Sequence, residues 1–318
     1  MAVQKIIFDT DMGVDCDDAV ALAILLNKHK RKQIELLAVT ASSTREGATA
    51  TVQAILDFYG VSVPVGAMAE PSIPCDRMNN YAKAVKEKYK TQDSTVDAVE
   101  LLRKTLAEQN EKVTLIAVGP LSNIARLLRS GADGYSPLTG KELVKEKVDV
   151  VYIMGGCFAQ NYVEGSPIYG RSGHHAEWNI LQDVSSAQTV ANECPADMRF
   201  LPFEGGILAY TVNKKGVENP VYDSMTNYAL SEGFTPQNHP ESFLADGSFR
   251  RPSWDPVTCL CATEDCSKYF TLSPLGKLTI PDSGLTVWEE GEGNARFYIL
   301  TDKFEEVASV VNSSIDPE

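Results

Sequence analysis

The chain has 318 residues, of which 43% are hydrophobic and 23% are charged, a composition that fits a folded soluble protein and argues against a largely disordered chain. Its 29 basic and 43 acidic side chains give a formal net charge of -14. This charge makes nucleic acid and an anionic membrane surface unexpected partners, because both attract basic surfaces. No apolar run approaches the roughly 18 residues that span a bilayer.

The N-terminus and the cysteines indicate the cellular compartment in which the protein is expected. The first eight residues lead directly into a strand-like run and carry no signal-peptide pattern. The seven cysteines are an odd number in a long chain, and reduced thiols are their simplest interpretation. We therefore expect a cytoplasmic protein.

Strand-like and helix-like stretches alternate over the first two thirds of the chain. Apolar, β-branched runs predict strands at 5–8, 34–40, 61–65, 113–118, 148–154 and 198–202. Helical spacing predicts helices at 19–29, 46–59, 95–109, 123–128 and 184–194. Such alternation is typical of βαβ units and a parallel sheet covered by helices.

The pattern changes after about residue 204. Residues 266–302 carry short β-rich runs with turn signals, and 304–311 has the spacing of a closing helix. We predict an α/β fold with an open, mainly parallel, Rossmann-like sheet, helices on both faces and a β-rich C-terminal portion. No linker is evident, so we expect a single domain over 1–318, with long loops at 68–81 and 160–175.

An acidic turn follows the first predicted strand and holds five carboxylates in ten residues, namely Asp9, Asp11, Asp15, Asp17 and Asp18. In open α/β sheets, ligands bind at the carboxyl ends of strands. Two like charges about 4 Å apart repel by about 4 kcal/mol at an effective dielectric of 20. A divalent cation offsets that repulsion, and an all-carboxylate site suits Ca²⁺ or Mg²⁺ rather than zinc.

Three other interpretations of the acidic turn are weaker. A helix N-cap with an acidic first turn needs only one or two of the five carboxylates. An EF-hand requires a helix on both sides and a twelfth-position Glu, which the turn does not have. An aspartyl-nucleophile phosphatase uses two aspartates spaced as Asp9 and Asp11 are, but it leaves the other three without a role.

The acidic turn resembles a family signature. Residues 9–19 are similar to the D-T-D-x-G-x-D-D-A motif of the inosine-uridine preferring nucleoside hydrolases, with two extra residues before the final Asp-Asp-Ala. Residues 118–125 resemble the family's G-P-L-T-N block, and 154–156, 177–179 and 254–256 match three more. Because five blocks occur in order over about 250 residues, the resemblance implies the nucleoside hydrolase fold.

The resemblance implies one Ca²⁺ ion at the bottom of the pocket. Asp11, Asp18 and Asp255 would supply carboxylate ligands, and Val118 would supply its backbone carbonyl. Asp255 opens a helix-like run at 255–262, so a plain helix N-cap is its other interpretation. The family is usually dimeric or tetrameric, which implies a homodimer or homotetramer here.

The implied reaction is hydrolysis of the N-glycosidic bond of a ribonucleoside to ribose and free base. Asp11 is the expected general base, acting on a Ca²⁺-bound water, because Ca²⁺ polarises its ligands less than Zn²⁺ does. Asp17, Glu177 and Asn179 are the expected ribose-binding residues. Nearby anions stabilise an oxocarbenium-like transition state.

The motifs say less about how the leaving nucleobase is activated than about the metal and the ribose. Some family members place His before the late aspartate, whereas this chain has Trp254, as a purine-preferring branch does. Trp178 and Trp254 are expected to stack on a purine, which contributes roughly 0.5–1.5 kcal/mol beyond burial. Core packing is the alternative for both rings.

The chain also departs from the family pattern. The two extra residues leave open whether Asp15 or Asp17 contacts ribose. Residues 42–44, Ser-Ser-Thr, stand where the family commonly has Asn, and Arg171 stands where it has another Asn that Asn161 can replace. Arg171 also suits a charged group such as a phosphate. These changes motivate an alternative function, Ca²⁺-dependent nucleoside or ribose binding without turnover.

Several further side chains are weaker candidates. His174 and His175 precede Glu177, and His239 lies in a Pro-rich stretch that suits a lid. The cysteines at 259, 261 and 266 have a loosely metal-like spacing, but a predicted core helix makes buried thiols the better interpretation.

Overall fold

The computed structural model describes residues 3–69, 80–158 and 174–317. Its strands are β1 (Gln4–Thr10), β2 (Ile34–Ala41), β3 (Val65–Gly66), β4 (Val113–Ala117), β5 (Val148–Met154), β6 (Asp197–Leu201), β7 (Tyr210–Val212), β8 (Arg250–Pro252), β9 (Phe270–Leu272), β10 (Gly276–Thr279), β11 (Val287–Glu290) and β12 (Ala295–Leu300). Its helices are α1 (Asp17–Lys30), α2 (Ala48–Tyr59), α3 (Tyr81–Tyr89), α4 (Ala98–Ala107), α5 (Ser122–Arg129), α6 (Gly140–Lys147), α7 (Trp178–Gln182), α8 (Val184–Glu193), α9 (Phe203–Gly206), α10 (Pro220–Ser231), α11 (Trp254–Thr263) and α12 (Phe304–Ser313).

The main sheet has the order β11-β10-β12-β6-β5-β4-β1-β2-β3, with β9 paired to β12. Every pair from β3 across to β12 is parallel, whereas β9, β10 and β11 are joined by antiparallel pairs. This arrangement confirms the predicted α/β class, the mainly parallel sheet and the β-rich C-terminal portion. The β7 and β8 strands form a separate antiparallel pair.

Burial on both faces explains the apolar runs of the central strands. In β1, Ile6 and Phe8 pack into one hydrophobic cluster and Ile7 packs into the other, because successive strand residues face opposite sides. The whole of β4 is buried. Helix α1 is apolar around most of its surface, as expected for a helix enclosed by the sheet and by α11.

Most predicted elements occur within a few residues of their expected bounds, and the exceptions have local causes. Strand β3 has only two residues, shorter than the predicted 61–65. Helices α3, α6, α7, α9 and α10 and strands β7 and β8 were not predicted. In α3 only three residues are buried, so its sequence lacks a strong apolar stripe.

Capping residues offered a signal for two of the missed helices. Thr139 and Glu142 form a capping box at the start of α6. Asn219 caps α10, and Pro220 occupies its first turn.

The predicted loop at 68–81 ends where α3 begins, and its residues 70–79 lie outside the described residues, as does most of the predicted loop at 160–175. Within the described ranges, none of the helices combines the length and the apolar character needed to cross a membrane. The single domain over 1–318 stays a prediction. The main sheet does include both β1 and β12, which lie near opposite ends of the chain.

Candidate functional site

The candidate site lies at the carboxyl ends of three neighbouring strands. Asp11 follows β1, Val118 follows β4, and Met154 ends β5; β4 pairs with both of the other strands. The pocket there contains about 510 Å³ of space not occupied by atoms. In the described part of the chain it is lined by Asp11, Val14, Asp15, Asp17, Asp18, Val118, Met154, Glu177, Trp178, Asn179, Phe203, Arg251, Trp254 and Asp255.

Three buried carboxylates form a cluster in this pocket. Asp11, Asp18 and Asp255 each offer one oxygen, and the three oxygens lie within 4.8 Å of one another. Asp18 stands in the first turn of α1, and Asp255 in the first turn of α11, which packs against α1. The residue at the N-cap of α11 is Ser253, so Asp255 is not the helix cap that the alternative interpretation required.

The charges in this cluster oppose one another. Burial raises the pKa of Asp11 to about 8, and the charges of Asp17 and Asp15 contribute to the rise. Burial, followed by the charge of Asp15, raises the pKa of Asp17 to about 7. The pKa values of Asp18 and Asp255 lie well above the ordinary range, again chiefly because of burial. A hard divalent cation with oxygen ligands fits this donor set, because it neutralises charges that otherwise repel.

The acidic turn is held from outside by Tyr81, the first residue of α3. The Tyr81 hydroxyl donates to the Asp15 carbonyl at 2.5 Å and accepts from the Gly13 amide at 2.7 Å. Gly13 has a φ of 101°, a conformation that side chains rarely adopt. Gly119 permits the close approach of β4, since a Cβ there would lie 2.7 Å from the Asp11 Cβ.

Asp15 and Asp17 have different partners. Asp15 accepts from the Arg251 Nε at 3.0 and 3.1 Å, and the Arg251 Nη2 donates to the same carboxylate. Asp17 instead accepts from the backbone amide of Asp255 at 3.1 Å. The carboxylate of Asp17 therefore lies beside the cluster, whereas that of Asp15 is neutralised by a cation.

Glu177 and Asn179 stand at the start of α7 and join it to the strand ends. Glu177 caps α7, and its Oε2 also accepts from the Gly156 amide at 3.0 Å. Burial raises the pKa of Glu177 to about 7, although these backbone hydrogen bonds oppose the rise. The Asn179 Nδ2 donates to the carbonyls of Val118 at 2.8 Å and Met154 at 3.2 Å.

An aromatic and cationic wall closes another side of the pocket. Trp254 stacks on Phe203 with ring centroids 5.6 Å apart, and its Nε1 donates to the Phe203 carbonyl at 2.8 Å. The Arg251 guanidinium lies 5.5 Å from the Trp254 ring and 5.2 Å from the Tyr228 ring. These contacts fix the orientation of the Trp254 ring.

The structure brings all nine predicted site residues into this pocket. Asp9 has other partners, since its Oδ1 accepts from Thr40 at 2.5 Å and from Asn123 at 2.7 Å. Ser43 is not among the described pocket-lining residues, and its hydroxyl accepts from the Arg45 amide. Arg171 and Asn161 lie outside the described residues.

The weaker candidates are not among the described residues that line the pocket, although His175 contacts Phe203, which does line it. His174 contacts the Thr286 carbonyl at 3.1 Å, and His175 packs edge-on against Phe203. His239 is exposed and pairs with Glu241 at 3.1 Å. The thiols of Cys259, Cys261 and Cys266 are buried and form no disulfide, which confirms the prediction of core cysteines.

The residues of the site that sequence reasoning missed include Tyr81, Phe203 and Arg251. Tyr81 lay at the end of a predicted loop, and Phe203 follows a strand without a recognisable motif. Arg251 stands three residues before Trp254. The sequence indicated Arg251 only indirectly, because the repulsion within a crowded acidic turn favours a nearby cation.

The fold and the site together define an α/β protein with a cluster of buried carboxylates, a candidate cation site, at the carboxyl end of its parallel sheet. Residues 6–285 match the family model described as "Inosine-uridine preferring nucleoside hydrolase". The chain belongs to this family.

Curated relatives match over part of the chain. The pyrimidine-specific ribonucleoside hydrolase RihA of Salmonella enteritidis PT4 is 29% identical over 199 residues, which cover 58% of this chain and 56% of the relative. The non-specific ribonucleoside hydrolase RihC of Escherichia coli O1:K1 / APEC is 27% identical over 195 residues, which cover 58% and 57%. The match thus spans just over half the length of these relatives.

Solved structures match over almost the whole chain. An inosine-guanosine nucleoside hydrolase superposes with a TM-score of 0.69 at 18% identity and covers 100% of both chains. The inosine-uridine preferring nucleoside hydrolase of Bacillus anthracis has a TM-score of 0.65 at 18% identity and covers 98% of this chain and 100% of its own. At these identities the likeness demonstrates the shared fold.

Proposed function

We propose that the protein hydrolyses the N-glycosidic bond of ribonucleosides, releasing ribose and a free nucleobase, with a bound Ca²⁺ ion. The observation that carries this proposal is the convergence in one pocket of a buried carboxylate cluster and the polar groups of α7. Three sequence blocks that lie far apart along the chain, 9–19, 177–179 and 254–256, supply these residues. Membership of the nucleoside hydrolase family supports the same reaction.

The carboxylates of Asp11, Asp18 and Asp255 would hold the cation, together with the carbonyl of Val118. Asn179 already donates to that carbonyl, and a carbonyl oxygen has two lone pairs, so one remains for a cation. When bound, Ca²⁺ neutralises the repelling carboxylates and polarises the groups that it contacts, including a water molecule and the ribose hydroxyls.

Asp11 acts as the general base in this proposal. It stands at the end of β1, and the close approach of Gly119 restricts its position. The attacking water gives a proton to Asp11 as its oxygen bonds to C1′ of the ribose. Asp17, Glu177 and Asn179 orient the sugar hydroxyls, and the negative charges of Asp17 and Glu177 favour the oxocarbenium-like transition state.

The two tryptophans of the pocket favour a purine base. Trp178 and Trp254 both line it, and Trp254 presents a ring that Phe203 and a hydrogen bond hold in place. A larger base gains more from aromatic contact. Among relatives, RihA is named pyrimidine-specific and RihC non-specific, while a structural neighbour from Gardnerella vaginalis, 16% identical, is named purine-preferring.

The site gives less support to an aspartyl-nucleophile phosphatase. That mechanism needs Asp9 or Asp11 to attack phosphorus in line. Asp9 is buried, is bonded to Thr40 and Asn123, and is not among the described residues that line the pocket. The phosphatase mechanism also gives no role to Glu177 or Asn179, which stand at the start of α7.

The test is release of reducing sugar from inosine, adenosine, guanosine, uridine and cytidine, with and without a chelator. We expect chelator-sensitive release, restored by Ca²⁺, with purines ahead of pyrimidines. A protein that binds both Ca²⁺ and nucleoside yet releases no sugar would instead be a binding protein. Faster release from uridine than from inosine would overturn the purine preference alone.

We also propose a cytoplasmic location and a homodimer or homotetramer. The free, buried cysteines of the described ranges support a reducing compartment, and the oligomer follows from the family resemblance. Light scattering of the purified protein tests the oligomeric state, with a monomer as the contrary result.

A further inference from the structure

Breaking the N-glycosidic bond leaves an electron pair on a nucleobase nitrogen, and a developing negative charge needs a nearby partner. In the part of the chain that the structure describes, Arg251 is the one cationic side chain that lines the pocket. We propose that Arg251 is a catalytic residue that donates a hydrogen bond to the departing nucleobase. This inference rests on the proposed nucleoside hydrolysis and assigns the leaving-group step within it.

Arg251 lies in β8, which pairs with β7, and it stands opposite Thr211. This strand pair positions Arg251 at the pocket. Its side chain is only 16% exposed. Two of its nitrogens, Nε and Nη2, are used on Asp15. Its third nitrogen, Nη1, makes no hydrogen bond within the described ranges, so it retains donors for a ligand.

The surroundings of Arg251 restrict where those donors can point. The guanidinium lies between the Tyr228 ring at 5.2 Å and the Trp254 ring at 5.5 Å. Its fork is fixed by the Asp15 carboxylate, which makes Asp15 a positioning residue. A base held beside Trp254 would therefore meet a donor that is already oriented, which lowers the reorganisation needed during the reaction.

Charge determines which ligand atom suits this donor. Burial alone would lower the pKa of Arg251, but the charge of Asp15 and the hydrogen bonds to it keep that pKa above its ordinary value. Arg251 therefore stays protonated and acts as a hydrogen-bond donor, not as a proton donor. Since Asp15 already balances its charge, an uncharged acceptor such as a ring nitrogen or carbonyl oxygen of the base fits better than a phosphate.

The C1′–N bond breaks, and its electron pair passes to the nucleobase nitrogen, whose growing charge is shared with the Arg251 hydrogen bond. The water oxygen bonds to C1′ and its proton goes to Asp11. The base then takes a proton from solvent, and Asp11 returns one to solvent, so that ribose and a neutral base leave.

A second role for Arg251 would be purely electrostatic, since it neutralises Asp15 beside the carboxylate cluster. The two roles differ in their dependence on the leaving group. Hydrogen bonding to the base matters most for a nucleobase, which is a poor leaving group. It matters little for p-nitrophenolate, which is stable as an anion. Loss of charge balance would instead affect both substrates alike.

The experiment compares kcat/KM for inosine, uridine and p-nitrophenyl β-D-ribofuranoside in the wild type and in variants. Arg251→Met removes the donor. Asp15→Asn combined with Arg251→Met removes the donor without leaving a buried charge unpaired. Arg250→Met is the matched control, because Arg250 packs on Tyr210 at 4.4 Å and donates to the Glu241 carbonyl, and it is not among the described residues that line the pocket.

We expect the double variant to lose about a hundredfold in kcat/KM on both nucleosides, as for removal of one oriented donor. On the p-nitrophenyl riboside it should lose at most a few fold, with Ca²⁺ affinity close to that of the wild type. Equal losses on all three substrates would overturn the inference and leave the proposed function intact. A wild type that cleaves none of the three would overturn the proposed function itself.

Discussion

The two sides of the pocket differ in their electrostatics: like charges repel on one side, and opposite charges attract on the other. On the carboxylate side, Asp11, Asp18 and Asp255 are buried beside one another, and burial and mutual repulsion raise their pKa values. On the aromatic side, Arg251 pairs with Asp15 and packs against Trp254. The first side costs folding free energy until a cation binds, whereas the second side is stable as it stands.

This difference indicates that the two sides of the pocket have different roles. In the proposed function, the repelling carboxylates bind a cation and a sugar, and such a conflict between function and stability is common. In the same proposal, the aromatic side provides a shaped and largely preformed surface for the base. Substitutions on the first side should therefore change stability and activity in opposite directions, and those on the second side should change both together.

The largest expected effect of a single substitution is that of Asp11→Asn. Removing the general base should lower kcat by about a thousandfold, within the usual range for such groups, and weaken Ca²⁺ binding. Because one buried repelling charge is lost, the metal-free variant should melt at a higher temperature than the metal-free wild type. Steady-state base release, calorimetric Ca²⁺ titration and thermal denaturation measure the three quantities.

The matched control for this change is Asp133→Asn. Asp133 lies outside the pocket, and its hydrogen bond to Arg103 holds its pKa near 2, below the ordinary range. Its loss should leave kcat unchanged. Wild-type turnover in Asp11→Asn would exclude Asp11 from the chemistry.

Removal of the metal comes next. Chelation should abolish turnover and lower the melting temperature by several degrees. At a Ca²⁺ concentration of about 100 times Kd, binding stabilises the native state by about 2.7 kcal/mol. Differential scanning fluorimetry with graded free Ca²⁺ measures the shift. A melting temperature independent of Ca²⁺ would show that the carboxylate cluster does not bind it.

A smaller effect is expected for Tyr81→Phe. The Tyr81 side chain connects the two sides of the pocket. Its hydroxyl holds both the Gly13 amide and the Asp15 carbonyl, and an unsatisfied buried amide costs about 1–3 kcal/mol. We expect a lower melting temperature and about a tenfold fall in kcat/KM, measured by denaturation and base release.

The comparison variant is Tyr89→Phe, on the same helix. The Tyr89 hydroxyl donates to Asp223 at 2.5 Å, and neither residue is among those described in the pocket. It should lower stability without changing kcat/KM. Equal kinetic effects in both variants would mean that α3 acts only through global stability.

The smallest effect is expected for Trp254→Leu. Loss of stacking worth roughly 0.5–1.5 kcal/mol should raise KM for inosine by up to about tenfold, with a weaker effect on uridine. Trp288→Leu is the control, because Trp288 packs edge-on against Phe297 away from the described pocket lining. An unchanged ratio of the inosine and uridine KM values in Trp254→Leu would assign that ring to packing alone.

The sequence by itself determined the fold class and the carboxylate side of the pocket. Alternation of apolar runs predicts a parallel sheet because buried strands and their crossover helices leave distinct periodicities. The acidic turn of residues 9–19 is local in sequence, so the repulsion among its charges could be recognised without coordinates. Asp255 and Glu177 required the family resemblance, since neither carries a local signal that separates it from a helix cap.

Only the tertiary structure decided the partners of that turn. The two extra residues left Asp15 and Asp17 equivalent in sequence, and the fold separates them by pairing Asp15 with Arg251, which lies 236 positions away. Through the packing of α3 and α9, Tyr81 likewise reaches the acidic turn and Phe203 reaches the pocket. Such contacts depend on how helices lie on the sheet, and they leave no periodic trace in the chain because each involves a single side chain.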